Sequence, residues 1–222
     1  MLWAVGDLRS FLLLLVGFVL AIVVRGVVQA TVAARNGDRG PANEGCLRPD
    51  PRRHLDPFGA IAAALAGVGW GRALGRVDRR RTSAAVLLTV LPGVVVLAAG
   101  LLLLRGFRAS TGLSLGGGTT ILLRQGAPFA LPDRALLLVG VVFVFVGLLS
   151  LVPLHPLDGS RLLFTLAPRT AGWQKAEYYL VEQNYGIGVL LVLLVPLGGG
   201  RSLMLTLLDA VGTPLVRLAT GG

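Results

Sequence analysis

An uncharged apolar run from Ala135 to Leu149 is followed by Ser150-Leu151-Val152-Pro153-Leu154-His155-Pro156-Leu157-Asp158-Gly159. A run of this length reads as a membrane helix, so Asp158 falls at or just inside the hydrocarbon boundary. A carboxylate there is costly and marks a functional site by default. Pro153 and Pro156 remove backbone donors and bend the chain, which at that depth requires protein or a wet cavity around them. Asp158 is therefore expected to be held inside a packed structure supplied by the rest of the chain.

Composition agrees with a membrane setting. Hydrophobic residues make up 54% of the 222 and charged residues only 14%, where soluble domains carry about a quarter. Mean hydropathy is +0.76. The net charge of +10 arises from 21 Lys+Arg against 11 Asp+Glu. These cations sit between apolar runs, where they set topology and meet anionic lipid headgroups. No basic patch is interleaved with aromatics, which argues against nucleic acid. Cys46 is the single cysteine, so the chain can form neither an internal disulfide nor a zinc-finger pattern.

Periodicity and apolar runs predict an all-α integral membrane protein with about four transmembrane helices, at residues 10–33, 83–104, 135–152 and 186–208. The first run resembles a signal peptide, with Val28-Gln29-Ala30 as a cleavage-like site. Arg25 interrupts it and the apolar pattern then resumes, so an uncleaved helix is expected. Residues 57–75 are mostly Ala and Gly and too short to span. Arg52 and Arg53 precede them; Arg76, Arg79, Arg80 and Arg81 follow. Basic flanks on both sides place both ends in the cytoplasm, which predicts a re-entrant segment. Pro92-Gly93 marks a kink in the second span. Gly116-Gly117-Gly118 is no phosphate loop, since no Lys-Ser/Thr follows it. Trp173, Tyr178, Tyr179 and Tyr185 suit a membrane interface. Gly198-Gly199-Gly200 breaks the last apolar stretch, after which residues 202–218 either return through the membrane or lie along it.

Taken together, Arg52-Arg53-His54-Leu55-Asp56-Pro57-Phe58-Gly59 and Pro153-Leu154-His155-Pro156-Leu157-Asp158-Gly159-Ser160-Arg161-Leu162-Leu163 resemble the site-2 protease family of intramembrane zinc metalloproteases. The likeness is to the short bacterial type without a PDZ domain, and its order of segments covers most of the chain. The resemblance implies a His-Glu-x-x-His motif on the first helix, with two zinc-binding histidines on one face and a glutamate that activates water. The LDG aspartate, here Asp158, would be the third protein ligand. At the corresponding positions this chain has Arg25, Gly26 and Gln29, so both histidines and the glutamate are replaced. His54, Asp56 and His155 stand in the retained motifs as possible supporting residues.

A guanidinium has no lone pair to donate and stays charged, so Arg25 repels a dication. No cofactor is expected. The alternative is a relocated zinc site of His54, His155 and Asp158, and with it an active metalloprotease. For Arg25 two readings stand. It pairs with Asp158 in place of the metal, with Gln29 bonded to one of them, or it snorkels to headgroups while Asp158 caps a helix through Ser160. The favoured function is a catalytically inactive relative that holds transmembrane helices of other membrane proteins between its first and third spans, as an escort or accessory subunit. A small transporter is a weaker third reading, for want of a repeated half. The expected location is the bacterial cytoplasmic membrane, basic loops inside.

Overall fold

The computed structural model describes residues 7–73, 82–115, 129–197 and 201–221. The chain is an all-α integral membrane protein, and four of its helices are long and apolar enough to cross a bilayer. The first, α1, spans Leu8–Arg35 and begins where the Asp7 side chain accepts from Ser10 N and, at 2.7 Å, from Ser10 Oγ. It ends at Asn36, ahead of Gly37 with φ of +87°. Leu14, Phe18, Ala21 and Ile22 form its buried stripe at three- and four-residue spacing, and Arg25 and Gln29 prolong that stripe.

Two short turns follow, α2 (Gly40–Asn43) and α3 (Pro51–His54). The next helix, α4 (Pro57–Ala66), is capped by Asp56, whose Oδ1 accepts from Gly59 N at 2.8 Å. Ten residues rise about 15 Å, half of a ~30 Å hydrocarbon core. Gly67, at φ of +86°, turns the chain back. Leu55 then bridges Gly71, and Arg72 N donates to His54 O at 2.7 Å. The segment thus leaves and returns at one place, the path a re-entrant element needs. Arg76, Arg79, Arg80 and Arg81, which carried half of the charge argument, lie outside the described residues.

The second long helix, α5, is Thr82–Thr111, and the third, α6, is Leu131–Leu151. Pro92 lies inside α5 without ending it. Both helices run past their apolar stretches: α5 carries Arg105 and Arg108 on to Gly112, and α6 opens with Pro132, Asp133 and Arg134. Backbone hydrogen bonding continues beyond the hydrophobic limit, so apolar counting understated both. Gly116-Gly117-Gly118 lies outside the described residues.

These two helices pack antiparallel through glycines. A Cβ at Gly100 would stand 2.7 Å from Val144 N, and one at Gly147 the same distance from Leu97 N. Seven residues separate Gly93 from Gly100 and Gly140 from Gly147, two turns of one face, as close helix pairs in membranes require. Between α1 and α6, a Cβ at Gly17 would lie 3.3 Å from Val139 Cα. The first and third spans therefore touch directly at this level.

After α6 come α7 (Asp158–Leu166), α8 (Ala171–Glu177) and a π-turn at Tyr178–Glu182. Trp173, Tyr178, Tyr179 and Tyr185 are exposed, with Tyr179 and Tyr185 stacked at 6.0 Å. The stretch 186–208, read from sequence as one span, is divided. Helix α9 (Tyr185–Leu194) stops before Pro196, a two-residue hairpin pairs Pro196–Leu197 with Arg201–Ser202, and α10 (Leu203–Thr220) is the fourth long apolar helix. Proline lacks the donor that would continue α9, while the Ser202 side chain accepts from Leu205 N to start α10. The expected break at Gly198-Gly199-Gly200 lies outside the described residues.

Asp7 and Arg134 pair at 2.7 Å, and Ser110 bonds to Asp133, which puts the start of α1, the end of α5 and the start of α6 at one end. The opposite end gathers Arg25, Gln29, His54 and Asp158. Gly147→Val is expected to lower stability by roughly 1–3 kcal/mol or more through overpacking, whereas Gly188→Val, where a Cβ meets nothing within 4 Å, changes little. Thermal unfolding of the two variants in one detergent compares them.

Candidate functional site

Asp158 is the first residue of α7, and Gly159 lets that helix begin hard against the end of α6. A Cβ on Gly159 would collide with the carbonyls of Leu151 and Val152. The result buries the Asp158 side chain completely, at 0% exposure. A lone carboxylate in such a place would take up a proton or a partner. It has partners. Arg25 Nε donates to Asp158 Oδ2 at 2.6 Å, and Arg25 Nη2 lies 2.5 Å from the same oxygen. Gln29 Nε2 donates to Asp158 Oδ1 at 2.9 Å and to Leu88 O of α5 at 3.2 Å. Both acceptors facing Gln29 Nε2 are oxygens, so its amide orientation follows from the network.

Arg25 and Gln29 are one turn apart on the same face of α1, and each engages one oxygen of the carboxylate. Arg25 is 3% exposed and does not reach out to a headgroup layer. Ser160 Oγ donates to Leu157 O, so Asp158 spends neither oxygen on capping α7. Of the two readings of Arg25, the paired one describes the geometry. Both prongs of the guanidinium converge on Oδ2, leaving Oδ1 to Gln29.

Gly26 has a second consequence. His54, also buried, packs its ring against α1, so that a Cβ at Gly26 would run into Nδ1 of the imidazole. His54 Nε2 stands 3.1 Å from Arg48 O, which holds the ring there. The space a longer side chain would need at residue 26 is filled by this histidine. Asp56 caps α4, as described, and so shapes the return of the Gly/Ala segment. Its neighbour across the gap is His155, in the turn between α6 and α7. Burial pulls the His155 imidazole below its ordinary 6.5; Arg161 pushes it the same way, and Asp56 opposes both.

The fit of a metal ion can be tested on these side chains. Among the described residues, no three of His, Cys, Asp and Glu come together to hold one. His54, His155 and Asp158 are all described and do not form such a group, and both Asp158 oxygens are engaged. The donor set does not fit zinc, and no chemical step through a metal follows from it.

Gln29 Oε1, Trp70 Nε1 and Thr89 Oγ1 are buried polar atoms with no hydrogen-bond partner among the described residues. Trp70 borders a small void beside the ion pair, about 10 Å³ and lined also by Ile22, Arg25, Gly71, Ser150 and Leu157. That is room for about one water molecule. Neither Trp70 nor the Leu88 carbonyl announced itself in the sequence. Arg161 could have been found there: it lies three residues after Asp158, on the neighbouring face of one helix.

Gly26→Ala is expected to destabilise the protein by about 1–3 kcal/mol. The loss should shrink when His54→Ala first opens the space. Thermal unfolding of both singles and the double checks this; equal losses in both backgrounds would mean that the imidazole does not occupy that space.

With this geometry established, the chain can be set against known proteins. It is 29% identical to the Bacillus subtilis (strain 168) protein named "Putative zinc metalloprotease YwhC", over 91% of this chain and 94% of that one. No family model matches the chain. No solved structure matches it either. The similarity runs nearly end to end and supports a site-2-protease-like family, in keeping with the motifs at residues 52–59 and 153–163.

Proposed function

We propose that this protein is a non-cleaving, site-2-protease-like membrane protein that holds transmembrane segments of other proteins, as an escort or an accessory subunit. One observation carries the reading: both oxygens of Asp158, the position the family resemblance assigns to zinc, are occupied by Arg25 and Gln29. A fixed cation at that point repels a dication. The residue where the resemblance expects the water-activating glutamate is Gly26, which has no side chain to act as a base. The scaffold nonetheless keeps its tight glycine packing and its returning α4 segment.

With α1 and α6 in contact at Gly17 and Val139, this reading has a partner segment dock on the outside of the bundle. The end near Asp158 offers an apolar groove of about 370 Å³, lined by Leu151, Pro153, Leu162, Leu163, Leu166 and Trp173. The same end gathers Arg35, Arg39, Arg48, Arg52 and Arg53, which favours a cytoplasmic orientation in a bacterial cytoplasmic membrane. Lipid headgroups would meet the exposed Tyr178, Tyr179 and Tyr185.

The name of the relative favours a second reading, an active zinc metalloprotease with its ligands moved to His54, His155 and Asp158. Metal analysis separates the two. The protein purified without chelators is expected to carry far less than one zinc per chain and to leave single-span test substrates intact. One zinc per chain, lost in Asp158→Ala and His155→Ala, would establish the enzyme instead.

A further inference from the structure

Arg161 is a cation at this site that forms no ion pair of its own among the described residues. It stands one turn after Asp158 on α7, partly buried, beside the turn that carries His155. Among the described residues it makes no hydrogen bond and no ion pair, and the charges acting on it are Asp158, which attracts, and Arg25, which repels. Asp158 cannot serve both arginines equally, since its Oδ2 takes Arg25 and its Oδ1 takes Gln29. The other acidic group nearby, Asp56, is committed to the cap of α4 and faces His155. The cluster of Arg25, Asp158 and Arg161 thus carries one positive charge too many.

A partly desolvated guanidinium without an acceptor is unfavourable, and such groups near a membrane mark binding sites. Arginine cannot relieve the cost by losing its proton. Its flat fork of donors matches a carboxylate, and such charge-assisted pairs are among the strongest hydrogen bonds available. Arg161 differs here from Arg169, which is exposed. Arg161 stands one turn from Asp158 on α7, so a group it binds lies close to the Arg25–Asp158 pair, and its planar fork suits a carboxylate on a packed helix.

We propose that the transmembrane segment held by this protein carries an acidic side chain near one end, and that Arg161 is the residue that recognises it. This inference rests on the non-cleaving scaffold reading above. The site then becomes neutral on binding: the partner brings the missing negative charge, and its own carboxylate is relieved of burial without a counterion. Partners lacking an acid would leave Arg161 unpaired, so the residue works as a selector as well as an anchor.

The test uses the full-length protein in nanodiscs and two matched series of synthetic single-span Leu/Ala peptides. In one, a single Glu is walked along the last two turns; in the other, Gln takes its place. Wild-type protein is expected to bind the best Glu peptide about tenfold more tightly than its Gln match, the worth of one charged hydrogen-bonded pair. In Arg161→Gln that preference should vanish, while Arg161→Lys keeps part of it. Equal binding of Glu and Gln peptides by the wild type would overturn the inference and leave the scaffold reading standing. Binding of neither series would overturn both. Loss of bound phosphatidylglycerol in Arg161→Gln, with the Glu preference unchanged, would assign Arg161 to a lipid phosphate and also overturn it. Unfolding gives an independent readout: an unanswered cation predicts that Arg161→Gln melts no lower than the wild type, whereas a drop of several degrees would mean an internal partner.

Discussion

A full charge inside a low-dielectric interior must meet its opposite, and that requirement orders this molecule. Taking a carboxylate out of water costs several kcal/mol even after relaxation, and an apolar scaffold cannot repay it. In a protein of this shape a metal dication would be one way to balance Asp158. Here the balance is a guanidinium brought in on α1, with an amide one turn further along to satisfy the second oxygen. The surrounding features follow from making that possible. Gly159 lets α7 start against the end of α6, Gly26 lets His54 close over α1, and the glycines of α5 and α6 bring two backbones to within van der Waals contact.

The same electrostatics links structure to function. A tethered side chain and an exchangeable dication allow different chemistry beside a carboxylate. A metal leaves an open coordination position at which water can be activated. A guanidinium fixed by two contacts to one oxygen offers no such position, and Gly26 supplies no proton acceptor. On the proposed reading, what remains is a framework that presents apolar surface and fixed charge to another helix in the bilayer. Arg161 shows that the compensation is incomplete, since one cation too many remains beside the neutralised pair.

Much of this was legible in the residues. The apolar run of α6 and the aspartate after it located the site, and the four-residue spacing of Arg25 and Gln29 placed both on one helix face. Small residues after Arg52 and Arg53 indicated a segment too short to cross, and α4 is ten residues long. Other parts were not legible, for physical reasons. Helix ends at Thr111 and Leu131 lie beyond the apolar limits because backbone hydrogen bonds continue in water as well as in lipid. A break in the last apolar stretch was expected at Gly198-Gly199-Gly200, but its helix already stops at Leu194, ahead of Pro196 and its missing donor. The direct contact of α1 and α6 depends on Gly17 meeting Val139, a match between distant positions that one sequence does not display. The packing of His54 on Gly26 is of the same kind.

A double-mutant cycle on the ion pair is the most direct measurement, using Arg25→Met, Asp158→Leu and the combined variant in thermal or denaturant unfolding. Each single change strands a buried charge and is expected to cost about 3–5 kcal/mol. The combined change leaves an apolar pair of similar volume, so its cost should fall well short of the sum, with a coupling of about 2 kcal/mol or more. Additive losses would contradict the claim that Arg25 is the counterion of Asp158, and with it the idea that a side chain stands in the place of a metal.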